Sequence, residues 1–438
     1  MEIQFLYSKL PVFIFVLLAF FVSHPFASST PSDLIEMVVP SKSSLMAIPS
    51  ASSGLDSKMV VPSTSSDLDS KMVVPSKSSD LAEMVVPLTS SDLNSKMVVP
   101  STSSDLIEMV VPSTSSDLDS KARTANLVVS KDGTGNYKTI NEAVAAVPAF
   151  SKTRFVIYVK KGIYDEIINI GKPKTNLTII GDGRDATILT EKLNVKDGTK
   201  TFYSATLAVD GDGFMAQDLC IRNTAGPEKG AAVALRVSGD RVVIYRCHID
   251  GYQDTLYAHS NKQFYRDCYI TGTVDFICGQ ASAVFQNCQI EARKPIGGQS
   301  NVITAQSRDS QSLMSGFTFQ KCNITASKDL DPVKRTFKSF LGRPWGVLSR
   351  VVFMESFMGD LIDPAGWTPW DSDLSRLSTL YYGEYENNGP GADTKKRVTW
   401  KGFRKITDPK EAINFTVGRL LDGDVWLKPT GVPYELGL

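Results

Sequence analysis

Apolar residues recur along this chain in short runs of strand length rather than in long helical stripes. Val242-Val243-Ile244-Tyr245 and Phe317-Thr318-Phe319 place large residues with the period of two expected of β-strands. Phe155-Val156-Ile157-Tyr158-Val159 and Leu177-Thr178-Ile179-Ile180 read as buried strands, the second ended by Gly181-Asp182-Gly183. Leu127-Val128-Val129 reads as an entering strand. Thr139 to Val147 has helical spacing and stops at Pro148, which predicts a helix capping the open end of a core.

Five segments share a cysteine flanked by alternating large residues, at Cys220, Cys247, Cys268, Cys288 and Cys322. The intervals are 27, 21, 20 and 34 residues. Unequal intervals around a short strand are what a solenoid gives when loops of varied length leave one face. The pattern predicts an all-β fold, a right-handed parallel β-helix, with these cysteines stacked in an internal ladder. Chance recurrence in a β-sandwich is the alternative. Two aspartates share the period: Asp254 and Asp275 lie 21 residues apart, each seven after a cysteine. On neighbouring turns they would stand about one strand spacing apart, roughly 4.7–4.9 Å. Such a pair suits nucleophilic and acid/base work on an ester or glycoside.

The N-terminal part has a different pattern. Residues 1–28 carry Lys9, an apolar run from Leu10 to Val22, and small residues at Ala27 and Ser28, which reads as a secretory signal peptide. The run is short for a membrane span, so an uncleaved anchor is the weaker alternative and no membrane association is expected after cleavage. Residues 29–121 repeat a Met-Val-Val-Pro unit with Met at 59, 72, 84, 97 and 109, and hold no aromatic residue. Such units bury too little to offset chain entropy, so a disordered Ser/Pro-rich tandem-repeat spacer is expected. Residues 122–438 are then one folded domain.

Net charge is zero overall, but residues 122–438 hold 40 Lys+Arg against 34 Asp+Glu. A mildly basic secreted domain favours a polyanionic partner. All six cysteines lie in this part without a Cys-x-x-Cys pair, which argues against zinc. In an oxidising compartment one adjacent pair can be bridged, and Cys268 with Cys288, one short coil apart, is the choice; a reduced ladder is the alternative. Sequons at Asn176, Asn323 and Asn414 fit secretion. Histidine is confined to His24, His248 and His259, and no Gly-x-Ser-x-Gly occurs, which disfavours a serine triad. Phosphate-cradling loops and clustered nucleic-acid contacts are absent, so no nucleic-acid partner is expected.

The carboxylate pair has further chemistry near it. Gln253 precedes Asp254 and offers an amide for a developing oxyanion. Arg343, in Leu341-Gly342-Arg343-Pro344-Trp345, could hold Asp275 ionised through a bidentate pair, and Trp345 could stack on a sugar. A surface ion pair and a core aromatic are the plain readings of those two.

From about Asn126 to Leu438 the chain resembles the plant-type pectin methylesterases. The matching segments are Gly162–Glu166, Asn223–Pro227, Tyr252–Tyr257, Gly272–Phe276, Leu341–Trp345 and Pro364-Ala365-Gly366-Trp367, in the family's order. The resemblance implies a right-handed parallel β-helix that demethylates methyl-esterified pectin in the cell wall. It implies no metal or other cofactor, a monomer, and a proteinaceous pectinesterase inhibitor as partner. It implies Asp275 as nucleophile, Asp254 as general acid then base, and Gln253 in the oxyanion hole. It implies Arg343 orienting Asp275, with Thr201, Trp345 and Trp367 contacting substrate, and it supports the Cys268–Cys288 bridge.

Three departures qualify the activity. Ala231 stands where the family usually has a second oxyanion glutamine. Cys278 and Gln280 replace a usual phenylalanine and asparagine. The repeat spacer takes the place of the family's common helical pro-domain. A weakened pectin-binding wall protein and a pectin-cleaving glycosidase or lyase are therefore the competing readings.

Overall fold

The computed structural model describes residues 115–438. The signal peptide expected at 1–28, and the spacer up to residue 114, lie outside the described residues. A helix, α1 (Ser115–Thr124), spans the boundary expected at residue 121. Lys121 donates from Nζ to the Gly181 carbonyl at 3.0 Å and pairs with Asp218 at 3.2 Å.

The rest is wound into coils whose strands form three parallel sheets of 11, 8 and 7 strands. One coil runs Val242–Tyr245, His248–Asp250 and Leu256–Ala258, placing one strand in each sheet. The next runs Lys262–Arg266, Tyr269–Gly272 and Ile277–Gly279. This is the right-handed parallel β-helix the sequence pattern predicts.

Like residues stack to fill its interior. Ile221, Ile249, Ile270, Ile290 and Ile324 follow one another in register across the 8-stranded sheet, all fully buried. Tyr265, Phe285, Phe319 and Phe353 form a second column, each ring 4.5 Å from the next. That spacing is close to the distance between strands, so stacked rings leave no gap between coils.

The expected entering strand (Leu127–Val129) and capping helix, α2 (Ile140–Ala146), are present. Thr139 caps α2 reciprocally with Glu142, and Ile140, Ala143 and Val144 close the first coil. Near the C-terminus, Val417, Leu420, Leu421 and Leu427 cover Met215, Val243, Phe264 and Val284 on the outer face of the 11-stranded sheet.

The cysteine row differs from the expectation in two ways. Cys247, Cys268, Cys288 and Cys322 are in register, but Cys220 pairs with His248, so Leu219 fills the ladder position. The interval from Cys220 to Cys247 is 27 residues, while the register between those coils steps from Cys220 to His248. A slip of one residue turns a strand side chain to the other face. Secondly, all six cysteines are free, and Cys268 and Cys288 are not bridged. Their thiols bond instead to carbonyls of the preceding coil: Cys268 to Ile244 at 3.3 Å and Cys288 to Tyr265 at 3.6 Å.

Candidate active site

Asp254 and Asp275 sit at the corner where each coil turns from the 8-stranded into the 7-stranded sheet. Leu256 pairs with Ile277 in the strand that follows, so the aspartates are equivalent residues of adjacent coils. Both have left-handed backbones, φ 59° and 51°, unusual away from glycine. The Asp254 amide donates to the Val274 carbonyl at 3.1 Å, fastening one corner to the next. Gly272 makes room for this turn, since a Cβ there would lie 2.2 Å from Cβ of Phe276.

Arg343 reaches Asp275 from two coils further on. Its Nε donates to Oδ1 at 2.8 Å and an Nη to Oδ2 at 2.6 Å, the bidentate geometry expected. Asp254 is half-buried, and no side chain bonds to its carboxylate among the described residues. This difference separates two otherwise similar acids. Burial pushes both upward from the ordinary carboxylate range. At Asp254 the neighbouring Asp275 charge adds to burial, and Asp254 ends well above that range. At Asp275 the Arg343 bonds oppose it. Of the two, Asp254 is therefore the readier to hold a proton and Asp275 the readier to stay ionised.

Around the pair runs an aromatic wall. Tyr257, Cys278, Ala305 and Arg343 are successive in register on the 7-stranded sheet. Trp345, 37% exposed, lies 6.1 Å from Tyr257 and stacks on Trp370 at 6.2 Å. Trp370 also covers the Arg343 guanidinium at 4.3 Å, and Asp371 approaches Arg343 to 3.9 Å from the rim. On the other side Phe202 packs edge-on to Tyr257 at 6.3 Å. Thr201 opens the short turn Thr201–Tyr203 that presents this ring.

Gln253 is half-buried beside Asp254, with its side-chain amide unbonded among the described residues. Ala231 lies nearby on the N-terminal side, and only its carbonyl bonds, to the Val195 amide at 3.0 Å. Cys278 is 4% exposed, and burial, then the Asp254 and Asp275 charges, hold its thiol well above the ordinary range. Among the described residues no group of three or more His, Cys, Asp and Glu is placed to hold a metal ion.

Trp367 is not in the groove. It is 1% exposed, stacks on Tyr382 at 4.1 Å and donates to Glu384 at 3.1 Å. The structure thus corrects its expected contact with substrate: Trp367 is an interior residue, and the neighbouring Trp370 faces the site. The sequence reading also missed Phe202 and Asp371. A signal for Trp370 was available, since residues three apart on an extended segment face opposite ways. Phe202 stands in a loop with no periodicity to read. Of the sequons, Asn323 and Asn414 are exposed, while Asn176 is half-buried.

The sequence profile described as "Pectinesterase" matches residues 126–424. The chain belongs to the pectinesterase family. A "probable pectinesterase/pectinesterase inhibitor 19" of Arabidopsis thaliana is 62% identical over 316 residues, 72% of this chain and 60% of that protein. Pectinesterase 2.2 of Solanum lycopersicum is 59% identical over 314 residues, 72% of this chain and 57% of its own length. The chain thus spans between half and two thirds of these relatives. The structure of a pectin methylesterase from carrot matches at TM-score 0.71 and 52% identity, covering 72% of this chain and 98% of that one. Another pectin methylesterase, solved with a hexasaccharide, matches at TM-score 0.57 and 29% identity, over 68% and 97%. These pectinesterase matches all cover a similar share of the chain, about the size of the β-helix.

Proposed function

We propose that this chain hydrolyses methyl esters of pectin outside the cell, releasing methanol. The observation that carries the reading is the in-register aspartate pair with Arg343 on one member only. Ionised Asp275 attacks the C6 carbonyl of a methyl galacturonate, forming a C–O bond. The Gln253 amide receives the oxyanion. The bond to methoxide breaks as Asp254 gives it a proton, leaving an acyl anhydride on Asp275. Asp254, now a base, takes a proton from water, and the hydroxide formed cleaves the anhydride and frees Asp275. Trp345 and Trp370 offer ring faces to the sugars, with Thr201 at the opposite wall. In this reading residues 1–28 direct secretion, residues 29–121 are a spacer, Asn323 and Asn414 are the accessible glycan acceptors, and the protein is a monomer.

The test is methanol release from methylated pectin by the full chain, with Asp275→Ala as the inactive control. New reducing ends or unsaturated products would point to chain cleavage instead. Ala231 favours one second reading, a pectin-binding protein of weakened turnover. Ala231→Gln restores an amide near Gln253 and should raise kcat rather than lower KM, by up to about 10²-fold if well aligned. An unchanged kcat would mean that this position supplies no donor.

A further inference from the structure

Gln253 and Asp254 are the two proposed reacting groups that no protein side chain holds. Their aim depends on the backbone of residues 251–254. That backbone is held at a left-handed φ of 59° at Asp254, a conformation that persists only where its surroundings enforce it. Main-chain bonds supply part of this. Ala232 donates to the Gln253 carbonyl at 3.1 Å and Thr273 to the Tyr252 carbonyl at 2.9 Å.

The Asp254 amide bond to Val274 and a Thr255 hydroxyl bond to the Tyr252 carbonyl at 3.1 Å add to these, and one guanidinium clamps the residues just before Gln253. Arg293 belongs to the coil after that of Asp275, where its own amide donates to the Gly272 carbonyl at 2.7 Å. Its side chain reaches back over that coil to the one carrying Asp254. There it pairs with Asp250 at 2.9 Å, donates to the Gly251 carbonyl at 3.1 Å and to the Tyr252 hydroxyl at 2.6 Å, and lies 3.8 Å over the Tyr252 ring. Asp250 is itself fixed by Arg222 at 2.7 Å and Thr271 at 2.8 Å. One nitrogen of the planar fork thereby ties Asp250 to the Gly251 carbonyl while the other holds the Tyr252 hydroxyl, immediately before Gln253. Lysine cannot reproduce that fork.

We propose that Arg293 is a positioning residue for the proposed esterase reaction, acting through Tyr252 to aim Gln253 and Asp254 at the ester. The inference rests on the esterase reading. Its chemistry is specific, because a small misplacement of reacting groups costs about 10² in rate, whereas the sugar-binding wall at Trp345 and Trp370 lies on other coils.

The experiment compares wild type, Tyr252→Phe, Arg293→Lys and Arg293→Met in the full chain. Methanol release gives kcat and KM, and thermal melting reports the folded fraction. Loss of the hydroxyl bond in Tyr252→Phe should lower kcat roughly tenfold with KM nearly unchanged. Arg293→Met should lower it about 10²-fold. Arg293→Lys should recover the melting temperature through Asp250 but not kcat. A fall in melting temperature with kcat per folded molecule unchanged would overturn the proposal, since Arg293 would then be a structural staple alone.

A readout independent of turnover separates this from failure of the esterase reading. In protein labelled with 13C at aspartate carboxyls, the Asp254 signal, assigned by its loss in Asp254→Asn, should titrate at lower pH in Arg293→Met as the corner opens to water. If wild type releases no methanol, the esterase reading falls. The same titration then decides whether Arg293 holds this corner, and an unshifted Asp254 would overturn it.

Discussion

The corner before the cysteine row and the corner carrying Asp254 and Asp275 are built alike. The first stacks Asp218, Arg246, Asp267, Asn287, Lys321 and Glu355 in the left-handed region, at φ between 49° and 56°. The second places Asp254 and Asp275 there. Both set a polar residue, mostly a charged one, in a strained bend. They differ in what surrounds the charges. In the first row Asp218 takes a two-point bond from Arg246, at 2.7 Å on each oxygen, Asp267 pairs with Arg266 at 3.1 Å, and Lys321 bonds to Glu435. In the second, Asp275 has Arg343 and Asp254 has no such partner. Burying a carboxylate without a partner is costly. A corner that only turned the chain has no use for that cost, which supports the role proposed for the unpaired acid.

The sharpest test of this contrast exchanges equivalent acids. Asp275→Ala should cut methanol release by at least about 10⁴-fold, as loss of a nucleophile does in other hydrolases. Asp267→Ala, at the structural corner of the same coil, should leave kcat within about twofold, since no transition-state contact is lost. Comparable losses in both would show that the corners differ in stability alone.

Arg343→Gln comes next. It removes the bonds that oppose burial at Asp275, so the Asp275 carboxyl should rise further. The proposed reaction requires its anion, so activity should fall as pH drops through that value. The acid limb of kcat/KM should move to higher pH, and kcat should fall about 10²-fold as the nucleophile loses its orientation. An acid limb in its original place would mean that another group sets it.

The coil repeat made much of this legible before any coordinates. Asp254 and Asp275 share a register because their coils are joined by loops of equal length, so sequence spacing and spatial spacing coincide. Arg343 was legible as a partner because its fork matches a carboxylate. Cys220 misled, since the interval to Cys247 differs by one residue from the register of their coils, and spacing alone cannot show where a loop absorbs the extra residue. Trp367 misled because a tryptophan beside a family motif can face either way. Its place in the interior follows from Glu384, which accepts its indole N–H and is held by Arg397 at 2.8 and 3.0 Å. Those partners are distant in sequence and carry no periodicity.

Stability against pH should distinguish the corners by sign. At Asp254 burial and Asp275 raise the folded carboxyl above its unfolded value. The folded state then binds more protons, and stability is lost as pH rises from the unfolded value toward the folded one. Asp254→Asn should therefore stabilise at neutral pH, with the gain fading below about pH 4, where both states are protonated. At Asp218 burial alone would raise the value, but the bonds from Arg246 and Gln217, with Lys121, bring it below ordinary. Its stabilisation is present above the unfolded value and lost as pH falls through the folded one. Asp218→Asn should thus destabilise at neutral pH, again with little effect in acid. Melting temperatures from pH 3 to 8 check both, and equal signs would remove the electrostatic distinction.

The smallest expected effect lies inside the structural corner. Cys322 donates to the Phe285 carbonyl at 3.3 Å, one coil back, as Cys288 does to Tyr265. The next position in the row is Ser356, whose hydroxyl makes the same bond, to the Phe319 carbonyl at 3.2 Å. The row therefore already accepts serine where an acceptor is provided. Cys288→Ser should cost only about 1 kcal/mol, a few degrees of melting temperature, because the hydroxyl keeps the bond while losing some packing. Cys288→Val keeps apolar bulk but lacks a donor, and leaves the Tyr265 carbonyl one bond short. If valine proves the milder change, the row is held by packing and its thiol bonds are incidental. If serine does, the repeat of donor and carbonyl is part of what fixes each coil on the last. Neither variant should alter kcat, which would confine the chemistry to the corner where Asp254 stands unpaired.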